Sequence, residues 1–314
     1  MRVVIALGGN AMTAPDGRAR PEDQLAAITR AAGPIANVVA MGADVVLTHG
    51  NGPQVGNLLV KNELGAAVVP PVPLDWCGAQ TQGTIGAMLL NVVPPALAVR
   101  GVPRPVAALV TRTRVDPDDP NLTRPSKPIG RYLPEAQARV MIEHGQVWED
   151  RGAKGWRRVV ASPEPVEILD AITVATLLAG GFVVVAAGGG GIPVVRDDDG
   201  TVRGIEAVID KDLSAALLGR AVDADVLVIA TDVPAVCLRY GTQTEERIGA
   251  IPVAALRCLQ DGHEFAGGSM GPKGEAACRF VESGGERAVI TSLDTIAEAA
   301  AGRAGTVVTK EGGG

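Results

Sequence analysis

Glycine-rich loops and a few lysines are the residues of this chain best suited to chemistry. Gly8-Gly9-Asn10, Gly50-Asn51-Gly52 and the four glycines Gly188 to Gly191 each follow a short β-branched run. Glycine lets the backbone come close to an anion, and a helix that follows such a loop offers free N–H groups and a positive dipole end. One such loop also suits an ordinary turn. Three along one sheet point to an anion-binding edge. Lysine is scarce: of 29 basic residues six are Lys (Lys61, Lys127, Lys154, Lys211, Lys273 and Lys310) and 23 are Arg. Lys127 in RPSKPIG, Lys211 in VIDKDL and Lys273 in GSMGPKGEA each sit beside Pro, Gly or Asp at an element boundary, a context that favours anion binding. Lys61 and Lys310 read as solvated charges.

Other chemistries are poorly supported. No GxxxxGK[ST] P-loop is present, and GNGPQVG at 50–56 sets its last glycine one residue too far for a dinucleotide fingerprint. Of His49, His144 and His263, His49 alone adjoins a glycine loop, and a structural bond to the loop backbone is its favoured role. Cys77, Cys237, Cys258 and Cys278 fit no metal or CxxC spacing and read as buried or incidental thiols. A net charge of −6 gives no basic footprint for nucleic acid, so positive charge for phosphate must be concentrated locally. With no signal-like N-terminus and no apolar stretch read as membrane-spanning, a cytoplasmic protein is expected.

The elements that must position these loops follow a regular rhythm. Strand-like runs at Val3–Leu7, Asp44–Thr48, Pro105–Thr111, Phe182–Ala187, Ala224–Ala230 and Arg287–Thr291 are nearly all apolar, as parallel strands covered on both faces are. Helical patterns at Pro21–Met41, Asp75–Val99, Pro165–Leu178, Asp212–Ala221, Pro252–Asp261 and Pro272–Ser283 alternate with them. This βα alternation predicts an α/β fold with an open, mostly parallel sheet, ligands binding at the carboxyl ends of its strands. The stretch from about Arg112 to Ala161, dense in Pro and charge, interrupts the rhythm and reads as an inserted subdomain or lid. With 46% hydrophobic residues and only 3% aromatics, the core must be filled by Ala, Val and Leu.

Motifs spread along the chain resemble the carbamate kinases of the amino acid kinase superfamily. They are ALGGNA (6–11), THGNGPQVGNLL (48–59), PLDWCGAQTQGTIGAML (73–89), KPIG (127–130), GWRRVVASPEP (155–165), GGGGIPVV (188–195), EAVIDKDLSAALL (206–218) and AGGSMGPKGEAACRFVESGG (266–285). The resemblance implies an eight-stranded αβα sandwich, a homodimer, and reversible phosphoryl transfer between carbamoyl phosphate and ADP, as in arginine deiminase-type catabolism. It implies a substrate lobe of about residues 1–222, a nucleotide lobe of about 223–314, and a protruding subdomain at 112–161. Gly8, Gly9, Asn10, Gly50, Asn51, Gly52, Gly189 and Gly190 would line the phosphoryl and carbamate site. Lys127 would reach in from the insert, Lys211 and Lys273 would flank the transferring group, and Asp210 would orient the lysines. Thr231, Asp232, Tyr240 and Met270 would belong to the nucleotide side. Mg²⁺ would arrive with ATP or ADP, with no resident metal and no tightly bound organic cofactor.

The chain departs from the family pattern at the nucleotide edge. Pro234 and Cys237 stand where an acidic and an aromatic residue are usual, and Ala266-Gly267 where Pro-Ala is usual. Two other readings remain: a related kinase acting on another small carboxylate, phosphonate or phosphate, or a non-catalytic sensor of carbamoyl phosphate or nucleotide. Carbamate is already an anion, so transfer to it needs no general base, in keeping with a chain poor in histidine.

Overall fold

Runs that are apolar at every position leave no polar face, so they can only be central strands. Val3–Leu7, Val45–Leu47 and Val226–Ala230 are of this kind, and the strands that hold them, Arg2–Leu7, Asp44–His49 and Val226–Thr231, are buried throughout or from their second residue on. In a computed structural model of the chain, described for residues 1–9, 20–66, 68–143, 145–262 and 270–311, they form the middle of an eight-stranded sheet. Its order is Ala250–Pro252, Thr306–Thr309, Arg287–Ser292, Val226–Thr231, Arg2–Leu7, Asp44–His49, Val183–Val185, Val106–Ala108. Thr306–Thr309 runs antiparallel to Arg287–Ser292, and every other neighbouring pair is parallel.

Successive strand residues point to opposite faces, and the two faces feed separate cores. Val3, Ile5 and Leu7 pack with Ile28 and Ile35 of the Pro21–Ala40 helix and with Ile85, Leu89, Val93 and Leu97 of the Leu74–Val99 helix. Val4 and Ala6 pack on the other side with Leu218 of the Lys211–Ala221 helix and Phe280 of the Met270–Glu282 helix. The result is an αβα sandwich. Strands from either side of residue 222 pair directly, so one sheet runs through both expected lobes.

Three expectations need correction. The Leu74–Val99 helix is, by length and composition, apolar enough to cross a bilayer, contrary to the sequence reading; here one face, with Ile85, Leu89, Val93 and Leu97, packs on the sheet, while Trp76, Leu90 and Val99 are exposed. The single helix expected over Pro165–Leu178 divides into a strand, Pro165–Ile168, and a helix, Ala171–Ala179. β-Branched Val166 and Ile168 suit pairing, and the strand lies against Arg112–Val115. The strand expected over Pro105–Thr111 narrows to Val106–Ala108 at the sheet edge.

Arg112–Val115 belongs to a second, four-stranded sheet with Val202–Gly204, Ile192–Arg196 and Pro165–Ile168. The irregular stretch beyond it forms a three-stranded sheet of Lys127–Leu133, Trp156–Val160 and Trp148–Asp150 with the Glu135–Glu143 helix. A small core of Leu133, Ala138, Met141 and Trp148 holds this unit together. It rests on the Gly52–Gly65 helix through Ile129 and Val160, which pack with Val55 and Leu59.

Candidate active site

The glycine loops meet where the central strands end. Gly8 N donates to the Ala230 carbonyl at 2.8 Å and Gly50 N to the Leu7 carbonyl at 2.9 Å, which sets the first two loops back to back. A Cβ on Gly50 would lie 2.7 Å from Gly9 N, so the approach excludes any side chain. The third loop is left-handed at Gly189 (φ +68°), where a Cβ would lie 2.1 Å from the Asn51 amide nitrogen. Polar side chains fix these loops from behind. Thr48 Oγ1 donates to the Ala187 carbonyl at 2.9 Å, and Gln82 Nε2 donates to the Gly188 carbonyl at 2.9 Å. Thr113 and Ser214 both donate to the Gly190 carbonyl at 2.8 Å.

His49 lies beneath them, 1% exposed, its Nδ1–H donating to the Gly50 carbonyl at 2.9 Å. Burial pushes its pKa down to about 4 against the pull of that hydrogen bond, and the Lys211 charge lowers it further. A neutral ring that braces a loop is a structural part, not a base. The Gly52–Gly65 helix starts with no side chain bonded to its first amides, since Asn51 turns its amide to Thr81 Oγ1 at 2.9 Å. That leaves the helix N-terminus facing the loops, suited to an anion.

The lysines are arranged by two aspartates with different duties. Asp210 caps the Lys211–Ala221 helix, its Oδ1 accepting from the Asp212 and Leu213 amides at 2.9 and 3.4 Å. Its other oxygen lies 3.5 Å from Lys127 Nζ, which comes from the three-stranded unit. Asp212 is 3% exposed; Lys211 donates to its Oδ1 and Lys273 to its Oδ2 at 3.2 Å. Burial opposes the charge on Asp212, but the two ammonium groups outweigh it and hold the carboxyl below its ordinary value. Lys273 is itself 6% exposed, so it is no solvated surface charge.

Loops and lysines line one cleft of about 770 Å³, together with Thr231, Arg157 and Gly130. Its charged lining is four cations, Lys127, Arg157, Lys211 and Lys273, against two carboxylates, Asp210 and Asp212. An acidic protein has here concentrated positive charge at the strand ends, as phosphate binding requires. A second cavity of about 460 Å³ under the three-stranded unit is lined by Asn62, Glu63, Gln146, Arg158 and Glu206, among others, and touches no glycine loop. Its arginine is matched by Glu206 at 2.9 Å, so it lacks the surplus positive charge of the larger cleft.

Comparison with known proteins decides the family. The amino acid kinase family profile matches residues 1–292. The chain belongs to the amino acid kinase family. It is 47% identical to a carbamate kinase from Thermococcus kodakarensis over 99% of both chains. It is 43% identical to a carbamate kinase from Pyrococcus furiosus over 98% of both. A solved carbamate kinase from Giardia lamblia bound to AMP-PNP superposes with a TM-score of 0.92 at 38% identity, covering 99% of this chain and 98% of the other.

In this amino acid kinase, Gly8, Gly9, Gly50, Asn51, Gly52, Gly189, Lys127, Asp210, Lys211, Lys273 and Thr231 share the cleft. Gly190 lies directly behind the loop, where a Cβ would lie 2.7 Å from the Ile209 carbonyl. Asn10, Ala266 and Gly267 lie outside the described residues. Asp232 takes a 3.0 Å hydrogen bond from Thr231 Oγ1 at the mouth, and Tyr240 is 70% exposed; neither lines the cleft. Met270, at the start of its helix, packs against the core. Cys237 sits in a two-stranded hairpin with Arg247, and burial raises the pKa of its thiol. Sequence reasoning missed Asp212, Gln82 and Arg157. Asp212 carried a signal in the repeated acid of IDKD, and Gln82 and Arg157 lie in the quoted motifs.

Proposed function

We propose that the cleft moves a phosphoryl group reversibly from carbamoyl phosphate to ADP, giving ATP and carbamate. The observation that carries this reading is the bridge of Asp212 to both Lys211 and Lys273 beneath glycine loops, in a chain so similar along its length to carbamate kinases. The carbamate kinase reaction is thus a phosphotransfer performed by fixed charges.

The glycine N–H groups and the Gly52–Gly65 helix N-terminus hold the phosphoryl oxygens. Lys211 and Lys273 flank the group in transit, their ammonium heads held apart by the two oxygens of one carboxylate. An anionic β-phosphate oxygen of ADP attacks phosphorus as the bond to the carbamoyl oxygen breaks and carbamate leaves. Both nucleophile and leaving group are anions, so no general base is needed. Charge stabilisation in a loose transition state does the work. Lys127, tethered only at 3.5 Å, swings from Asp210 to the substrate when it binds.

The donor set also indicates how a metal enters. Each oxygen of Asp210 and Asp212 already has a hydrogen-bond or lysine partner, which suits Mg²⁺ carried on the nucleotide phosphates. Such an ion neutralises charge on those phosphates. The nucleotide occupies the side of the cleft ending at Thr231. We also propose a cytoplasmic homodimer acting in arginine catabolism. Exposed Trp76 and Leu90, about four turns apart on one helix and so on one face, supply apolar surface for a second copy.

A coupled assay for ATP formed from ADP and carbamoyl phosphate, with Mg²⁺, tests the activity. Turnover that falls roughly 10²–10³-fold in Lys273→Met, with the fold intact by circular dichroism, is expected. Nucleotide binding without turnover in the parent protein would leave the sensor reading instead.

A further inference from the structure

Arg157 is the one charged residue of the cleft lining that has no ion pair among the described residues. Lys127 has Asp210, while Lys211 and Lys273 share Asp212. Its neighbours in the same small unit are also matched: Arg158 with Glu206 and Arg131 with Glu63 on the sheet, and Arg139 with Glu135 on the helix beside it. Arg157 instead lies over the ring of Tyr132, 5.1 Å from its centroid, with Nη1 3.5 Å from the Tyr132 hydroxyl. Its Nε is shut off from solvent with no acceptor. A guanidinium left without a carboxylate in the lining of a cleft with surplus positive charge is a group held ready for an anion.

Local backbone geometry aims it there. Tyr132 and Arg157 are direct cross-strand partners, and the register between Lys127–Leu133 and Trp156–Val160 shifts just before them, between Ile129 and Tyr132. Gly130 of KPIG allows this irregularity by taking φ +67°, where a β-carbon would be strained. Bulges of this kind bend a strand and re-aim the side chains beyond them. Arg131, within the bulge, reaches Glu63 on the Gly52–Gly65 helix at 3.0 Å and pins the strand over the cleft. Lys127, on the same strand, enters the cleft as well.

We propose that Arg157 is a further substrate-binding residue. Its planar fork takes two oxygens of carbamoyl phosphate from the side opposite the glycine loops, and Tyr132 fixes the plane of that fork. An ammonium offers a point charge and cannot reproduce two parallel hydrogen bonds. The proposal rests on the carbamoyl phosphate reading above and adds a residue to it.

Steady-state kinetics of Arg157→Lys and Arg157→Met test it, with each substrate varied in turn. Loss of a charge-assisted pair of hydrogen bonds should raise the KM for carbamoyl phosphate roughly 10- to 100-fold in both variants. The KM for ADP should stay within twofold. The rise in melting temperature produced by inorganic phosphate should also shrink in Arg157→Met, a readout that needs no turnover. If Arg157→Met folds poorly, Arg157→Lys, which keeps the stem over Tyr132, decides. A KM for carbamoyl phosphate within threefold of the parent in Arg157→Lys overturns the proposal. So does a rise confined to ADP, which would make Arg157 a nucleotide contact. If the parent forms no ATP from carbamoyl phosphate, the proposed function fails first, and the phosphate-dependent melting of parent and variants then judges Arg157 alone.

Discussion

Replacing Asp212 by Asn alters one atom and one charge, and the structure allows the consequence to be worked through. In the parent, two ammonium groups on side chains 13% and 8% exposed share a carboxylate that is 4% exposed. Without that carboxylate they face each other in a site that water barely reaches. Breaking a buried pair by removing one partner costs about 3–5 kcal/mol. The Asn oxygen can still accept from one lysine, which puts the expectation near 3 kcal/mol. At about 2 °C per kcal/mol for a chain of this size, the melting temperature should fall by roughly 6 °C. The two lysines should also lose their fixed separation, lowering kcat by about 10²-fold. Inorganic phosphate should raise the melting temperature of the variant more than that of the parent, because it supplies the missing negative charge. The pH dependence follows the same logic. The folded-state pKa of Asp212 lies below its ordinary 3.8, so its contribution is present above that value and is lost as pH falls through the lowered one. The gap between parent and variant should therefore close in acid. A melting temperature within 2 °C and a kcat within threefold of the parent would refute the assignment of Asp212 as the counter-charge of both lysines.

Lys127→Ala should lower kcat/KM for carbamoyl phosphate at least tenfold while moving the melting temperature by no more than about 2 °C, since a long, half-buried 3.5 Å pair contributes only about 1 kcal/mol; a large loss of stability would make the three-stranded unit a core element instead of a lid. Gly189→Ala should raise the KM for carbamoyl phosphate, because its Cβ would displace the Asn51 amide from Thr81 and the left-handed backbone costs a further ~1–2 kcal/mol; unchanged kinetics would show that the third loop does not shape the site. His49, held neutral in the fold with a pKa of about 4, should make stability fall by about 3 kcal/mol as pH drops from 6.5 to 4, because the unfolded chain then binds the extra proton. Urea titrations of the parent and of His49→Gln across that range should show a shallower slope for the variant, and equal slopes would count against the burial argument.

The strands and glycine loops were legible because their signals are local. Val3–Leu7 is apolar at every position and Gly8-Gly9 follows at once, so both the strand and its ligand-facing end are written in adjacent residues. The lysines stood out for a similar reason: scarcity, and neighbours that end or begin elements. Where periodicity was ambiguous, reading failed. Residues 165–168 pass for the first turn of a helix until a partner strand, Arg112–Val115, competes for their backbone hydrogen bonds. The Leu74–Val99 helix has a membrane-like composition, and contact with the sheet alone tells it from a bilayer span.

By itself the sequence determined the βα order, the glycine loops at strand ends and the three lysines that share a cleft with them. The resemblance gave the orienting of the lysines to Asp210, but Asp210 and Asp212 flank Lys211 symmetrically on paper, and it is Asp212 that pairs with Lys211 and Lys273. Asp210 falls at the helix cap, where one oxygen is taken by backbone amides, so it has only the other for Lys127. Asp212 falls two residues into the helix and turns inward, where Lys273, 61 residues further along the chain, completes its coordination. The sequence also could not single out Arg157 among 23 arginines, because what distinguishes that side chain is its place in the cleft lining with no ion pair among the described residues. Pairing and burial are relations between distant residues, and they exist only after the sheet has brought those residues to one edge.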